Sequence, residues 1–343
     1  MGVISATLSP KEKKNRTTAA VLSLIVGILL MLVKFWAHNM TKSQAIFSDA
    51  LESIVNVTAA GLAFLVMYYS ARPADEDHPY GHGKVEFFSA AFEGGLITFA
   101  GVFIVIESLQ AFLAGSTLHR LSEGLYIVAA AGVANLLLGL FLLRTAKRNS
   151  SVALRASGHH VISDFWTSVG IILGLIVVKF TEIFWLDPVI AALVGLSLSY
   201  QGFKLVRSSA GGLLDEEDPE AMQQLVEIFS KYSTGGIIQI HNVKMIRSGW
   251  YHHIDAHVVL PEFWNTNDVH ENLLAFENKV IANYEYGGEM NFHADPCRRA
   301  YCRVCDLKDC PVRKEAFQER MAVSIEQLRS KDEPDEFRKK KIQ

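Results

Sequence analysis

The stretch "QAIFSDALESIVNVTAAGLAFLVMYY", residues 44–69, reads as a membrane span, yet its first half carries two carboxylates and an amide: Asp49, Glu52 and Asn56. An ionised side chain at the bilayer centre costs roughly 2.5–3.5 kcal/mol on insertion scales, and such residues usually face a bundle interior or a water-filled path. These three are therefore the first candidates for function. About 20 apolar residues cross a bilayer as a helix, and five further blocks are long enough: near 18–38, 87–113, 122–144, 153–180 and 186–206. Half of the 343 residues are hydrophobic and they come in blocks, which excludes an ordinary soluble protein. The expected fold is membrane α-helical, with six transmembrane helices.

The first block follows basic residues Lys11, Lys13, Lys14 and Arg16. It is too long for a signal core and further spans follow, so it reads as a retained first helix after a cytoplasmic leader, 1–16. Lys and Arg in short loops orient the bundle. The leader, Arg72 and Lys84, Arg144 with Lys147 and Arg148, and Lys204 with Arg207 fall on one side; Lys42 and Arg120 fall on the other, with Lys34 and Lys179 near helix ends. Both termini are thereby expected in the cytoplasm, and the protein in an inner or plasma membrane. A net charge of -3 gives no sign of a nucleic-acid partner.

Beyond the transmembrane domain, 17–208, the chain turns polar. "DEEDPEAMQQLVEIFSKY" starts a helix at Asp218 and Pro219; "GIIQIHNVKMI" and "WYHHIDAHVVL" alternate as strands around Ser248-Gly249. A helix at "TNDVHENLLAFENKVIANY" and a strand at "GGEMNFHA" complete an α-β-β-α-β order, the outline of a small α+β, ferredoxin-like domain over 209–296. A Cys-rich extension, 297–316, and a charged tail, 317–343, expected to be disordered, end the chain.

Glu52 and Asn56 stand four apart and so share a helix face, with Asp49 beside them. In the fifth span "SGHHVISDFWTS" offers a matching pair, His160 and Asp164. Together the pairs present two carboxylates, an amide oxygen and an imidazole, a four-ligand set for a divalent cation. Polar residues also glue transmembrane helices together, a role open to Asn56, and for Asp49 helix packing stands beside an indirect role as a second layer or proton relay. The loop "ARPADEDHPYGHGKVEFFSA" places Asp75, His78 and His82 at spacings that suit zinc-like ions, with Pro79 and Gly81 breaking any helix. In the soluble domain His241 and His257 fall on neighbouring strands, and His293 with Asp295 on the last; His252, His253 and His270 are weaker candidates. The chain's four cysteines, Cys297, Cys302, Cys305 and Cys310, are spaced C-x4-C-x2-C-x4-C. Cytoplasmic thiols stay reduced, so a four-cysteine zinc site first and an iron-sulfur cluster second are better readings than disulfides, with four unligated thiols the remaining alternative.

Six spans with cytoplasmic ends, the paired polar positions in spans two and five, "HPYGHGK", "LDP" before span six and the "LLDEEDPE" entry to the tail resemble the cation diffusion facilitator (cation efflux) family over roughly residues 15–295. The resemblance implies efflux of divalent metal from the cytoplasm in exchange for protons, not enzymatic catalysis, by a homodimer in the lipid bilayer. Its transport site would fall on Glu52, Asn56, His160 and Asp164, its loop site on Asp75, His78 and His82, and its cytoplasmic site on His241, His257, His293 and Asp295. Lys84 and Asp215 match positions paired as a dimer-stabilising salt bridge. "ESIVN" departs from the family, which has Asp or His at the position of Glu52 and Asp at that of Asn56. An oxygen-rich site is harder, so beside zinc, the default, manganese, iron or cobalt suit it. Two rivals are a non-transporting metal sensor on the same fold and a monovalent-cation/proton antiporter.

Overall fold

The computed structural model describes residues 10–70, 72–115, 118–148, 152–334 and 337; the first nine residues of the expected leader lie outside them. Among the described residues, six helices are long and apolar enough to cross a membrane: α1 (Pro10–Thr41), α2 (Gln44–Ser70), α3 (Val85–Ala114), α4 (Leu121–Arg148), α5 (Val152–Thr181) and α6 (Leu186–Leu213). Since α1 begins at Pro10, part of the expected leader is helical.

The chain forms two compact units, one from the residues up to 67 and 89–209, the other from 68–88 and 210 onward. In the first, lipid cannot drive helix association, so close backbone approach must. Two glycine pairs supply it between α3 and α6: a Cβ on Gly101 would stand 2.6 Å from Gly195 O, and one on Gly94 2.8 Å from Gly202 O. α4 packs along α5 and against α1. The N-terminus of α2 is capped from another helix: Gln44 N donates to Asp187 Oδ2 at 2.7 Å, Ala45 N to Oδ1 at 3.2 Å and Ser43 Oγ to Oδ1 at 2.5 Å. The "LDP" carboxylate thus satisfies amides that a helix leaves without partners.

Lys34 does not sit near a helix end. It is buried, and its Nζ donates to Asp49 Oδ1 at 2.9 Å, an oxygen that also accepts from Ser168 Oγ at 3.1 Å. Asp49 Oδ1 thereby joins side chains of α1, α2 and α5.

In the second unit, Asp218 Oδ1 accepts from Glu220 N and Ala221 N at 3.0 and 3.2 Å and Pro219 follows, a cap worth about 1 kcal/mol at the start of α7 (Pro219–Tyr232). Strands β1 (Gln239–Ser248) and β2 (Tyr251–Leu260) pair antiparallel; α8 (Thr266–Asn283) crosses over, as a parallel partner requires, to β3 (Gly287–Pro296) beside β2. The core, including Leu225, Phe229, Ile254, Phe276 and Val280, fills the face between sheet and helices.

Gly83 lies against the β1–β2 turn so closely that a Cβ would overlap the Ser248 carbonyl. Gly83→Ala should therefore cost about 1–3 kcal/mol, seen as a lower melting temperature of the purified protein; parental melting would refute this close packing.

The disordered tail expected over 317–343 does not hold for the described residues. Ile325–Arg329 forms α9, Leu328 is fully buried in the domain core, Asn242 N donates to Ser330 O at 2.8 Å and Arg329 pairs with Glu217. Phe337 is buried, stacked on Tyr301 at 4.2 Å. Sparse apolar anchors hold a charged segment whose composition alone reads as unfolded; residues 335–336 and 338–343 lie outside the described residues.

Candidate functional site

α2 and α5 meet through the polar pairs. Asn56 Nδ2 donates to Asp164 Oδ2 at 2.8 Å, His160 Nε2 lies 3.1 Å from Asn56 Oδ1, and His160 Nε2 lies 4.0 Å from Asp164 Oδ1. Asp164 is buried, while the His160 side chain is 49% exposed. Glu52, one turn before Asn56, has Oε2 buried with no hydrogen-bond partner among the described residues, as does Asp49 at Oδ2. An orphaned buried carboxylate oxygen forgoes about 1–3 kcal/mol or more, the sort of position a cation ligand occupies. The side chains are gathered but not closed: Glu52, His160 and Asp164 do not bring their ligand atoms within 4.8 Å of one another. The Asn56 amide, which can bond both neighbours at once, bridges them.

Two other groups do close to that distance, Asp75 with His78 and His82, and His241 with His257 and Asp295. In the first, Asp75 Oδ1 accepts from His78 N at 2.7 Å and faces His78 Nδ1 at 3.1 Å, while Asp75 Oδ2 lies 3.4 Å from His82 Nε2. What desolvation Asp75 meets opposes its ionisation, but the His78 backbone and ring bonds outweigh it and hold the carboxyl below its ordinary value. Pro79 and a left-handed Gly81, φ +77°, bend the loop so that the His78 and His82 rings come within 4.3 Å of each other, tilted by 39°. His82 is buried and its Nδ1 has no hydrogen bond among the described residues.

In the second group, strand register does the work: His241 stands opposite His257, and His257 opposite His293. Asp295 is the hub, its Oδ2 3.0 Å from His257 Nδ1 and 3.4 Å from His241 Nε2, and its Oδ1 3.7 Å from His293 Nε2. Both ring nitrogens of His241 are buried without a hydrogen bond among the described residues, so the donor set fits a metal ion. His293 is 68% exposed and outside the closed group.

His252 does not belong to it. Its ring lies 2.8 Å from Tyr284 Oη and stacks on Tyr286, and burial drives its pKa down to about 4, so it is a neutral core histidine. His253 pairs with Glu289 at 2.8 Å. Lys84 Nζ bonds Asp215 at 2.9 Å within one chain, across the two segments that make the second unit. Sequence reasoning did not find the Lys34–Asp49–Ser168 cluster; a lysine seven residues from the end of an apolar span, with an aspartate in the next span, was the available signal.

With this arrangement in view, comparison with known proteins is direct. The family model for the cation efflux transmembrane domain matches residues 20–214, and that for the cation efflux protein cytoplasmic domain matches 217–297. The chain is 34% identical over 278 residues to an uncharacterized transporter of Synechocystis sp., covering 81% of this chain and 89% of that one. It is 28% identical over 290 residues to the cation-efflux pump FieF of Pectobacterium carotovorum, covering 84% and 95%. To the manganese efflux system protein MneP of Bacillus subtilis it is 23% identical over 295 residues, covering 84% and 98%. Six membrane helices, a cytoplasmic α+β domain and these matches over most of the chain make it an integral inner-membrane protein of the cation diffusion facilitator (cation efflux) family.

Proposed function

We propose that this protein exports divalent metal cations from the cytoplasm in exchange for protons, using Glu52, Asn56, His160 and Asp164 as the transport site. The carrying observation is the charge arrangement between α2 and α5. Lys34 neutralises Asp49 at 2.9 Å, which leaves Glu52 and Asp164 as two carboxylates to match a divalent ion. Ligands bind metal deprotonated, so loading an ion releases protons and protonation releases the ion. That reciprocity is antiport. Asn56 turns its amide oxygen toward His160 and its nitrogen toward Asp164; to serve as a ligand its oxygen must face the cation beside the imidazole. One imidazole among oxygen donors discriminates weakly between zinc, manganese, iron and cobalt, and the similarity to the manganese efflux system protein of Bacillus subtilis supports including manganese beside the zinc default.

The cytoplasmic groups, His241, His257 and Asp295 with His293 at their edge, and Asp75, His78 and His82, are read as resident metal sites of a homodimer, consistent with the match to the family's cytoplasmic domain. Lys84–Asp215 ties the "HPYGHGK" loop to the entry of that domain.

An imidazole is the side chain suited to changing charge near neutral pH, so His160→Ala should flatten the pH dependence of metal exchange in proteoliposomes. A parental pH profile would move proton coupling to other groups.

A further inference from the structure

The family's cytoplasmic-domain match ends at residue 297, where the cysteines begin. Cys297, Cys302, Cys305 and Cys310 line one cavity of about 10 Å³ together with Arg299 and Arg313. Three of the four sulfurs face backbone N–H groups: Lys314 N donates to Cys302 Sγ at 3.3 Å, the Arg299 and Glu262 amides to Cys297, and the Leu307 amide to Cys305. Amides aimed at sulfur are the outer layer that orients metal thiolates. The turn that aims the Arg299 amide puts two consecutive non-glycine residues, Arg298 and Arg299, at φ 49° and 60°. That conformation costs roughly 1–2 kcal/mol per residue and persists only where the surroundings impose it. Arg313 ties the loop closed by donating to the carbonyls of Cys302, at 2.9 Å, Cys305, at 3.1 Å, and Leu307.

We propose that the four cysteines bind one zinc ion as a structural tetrathiolate site, separate from the transported cargo, that clamps residues 318–334 and Phe337 onto the sheet. Among the described residues no three of the sulfurs lie within 4.8 Å of one another, so Cys side chains rotate inward to the spacing of about 3.8 Å set by Zn–S bonds of about 2.3 Å. Four thiolates complete the tetrahedral coordination of a structural zinc ion, and the cytoplasmic domain keeps the thiols reduced. The clamp follows from what rests on the loop. Cys297 and Cys305 pack with Ile238, Val259, Tyr301 and Phe337. Tyr301 Oη bonds Gln239 Oε1 at 2.6 Å and Glu333 Oε2 at 3.1 Å, and Gln318 N donates to Arg303 O at 2.8 Å.

The test uses the full-length protein in detergent, loaded with cobalt and passed over a weak chelator. The parent and the double variant His257→Ala with Asp295→Ala should both keep the thiolate-to-cobalt charge-transfer band and the visible bands of tetrahedral cobalt. Cys302→Ser with Cys305→Ser should lose them. In the parent and in the His257→Ala with Asp295→Ala variant, zinc should slow thiol alkylation by about an order of magnitude or more, and a strong chelator should open the chain around Arg329 to trypsin. Absence of the charge-transfer band from the parent, or equal alkylation with and without zinc, overturns the site. Iron and inorganic sulfide in place of zinc overturn the choice of ion, and an unchanged trypsin pattern overturns the clamp.

Discussion

Asp164→Ala is expected to abolish metal transport while leaving the protein folded. Asp164 is the buried carboxylate that accepts from Asn56 Nδ2 at 2.8 Å. Its loss leaves Glu52 alone to offset a divalent ion, with Asp49 already committed to Lys34 at 2.9 Å. Removing one partner of a buried charge pair costs about 3–5 kcal/mol, or roughly two to three and a half powers of ten in affinity at about 1.4 kcal/mol per decade. Flux in proteoliposomes measures the effect, and gel filtration with circular dichroism reports folding. Parental flux in a folded variant would remove Asp164 from the site.

Asn56→Asp has the next largest expected effect, with opposite signs in the presence and absence of metal. The substitution exchanges the amide donor for a carboxylate oxygen facing Asp164 Oδ2, from which the Asn56 nitrogen stands at 2.8 Å. Like charges so close repel unless a cation lies between them. The variant should melt below the parent without metal and above it with saturating zinc or manganese, and its metal affinity should rise while release slows. Isothermal calorimetry and thermal melts with and without metal decide. Lower melting under both conditions with unchanged affinity would leave Asn56 as a helix-packing residue only.

The bundle was legible because a span needs only length and low polarity, both plain in the segments around 44–69 and 87–113. The α-β-β-α-β order was legible because alternation, Asp218-Pro219 and Ser248-Gly249 are local signals. His241, His257 and Asp295 were also within reach, since strand pairing sets their neighbours. Lys34 was not, because partnership with Asp49 depends on how α1 and α2 pack, which no local pattern encodes. The same holds for Asp187, whose role is to cap α2 from 143 residues away in the chain. The ordered tail escaped because Leu328 and Phe337 are isolated apolar residues in a charged stretch, and only the surfaces they meet give them weight.

The central claim is that two unmatched carboxylates between α2 and α5 hold a divalent cargo that protons displace. Its most direct test is cation flux into proteoliposomes across an imposed pH gradient, with zinc, manganese, iron, cobalt and sodium compared side by side. Divalent metal should accumulate in proportion to the gradient, an accumulation that collapses when a protonophore is added and is absent from Asp164→Ala. Gradient-driven sodium exchange, or no flux of any cation while the protein still binds metal, would contradict it.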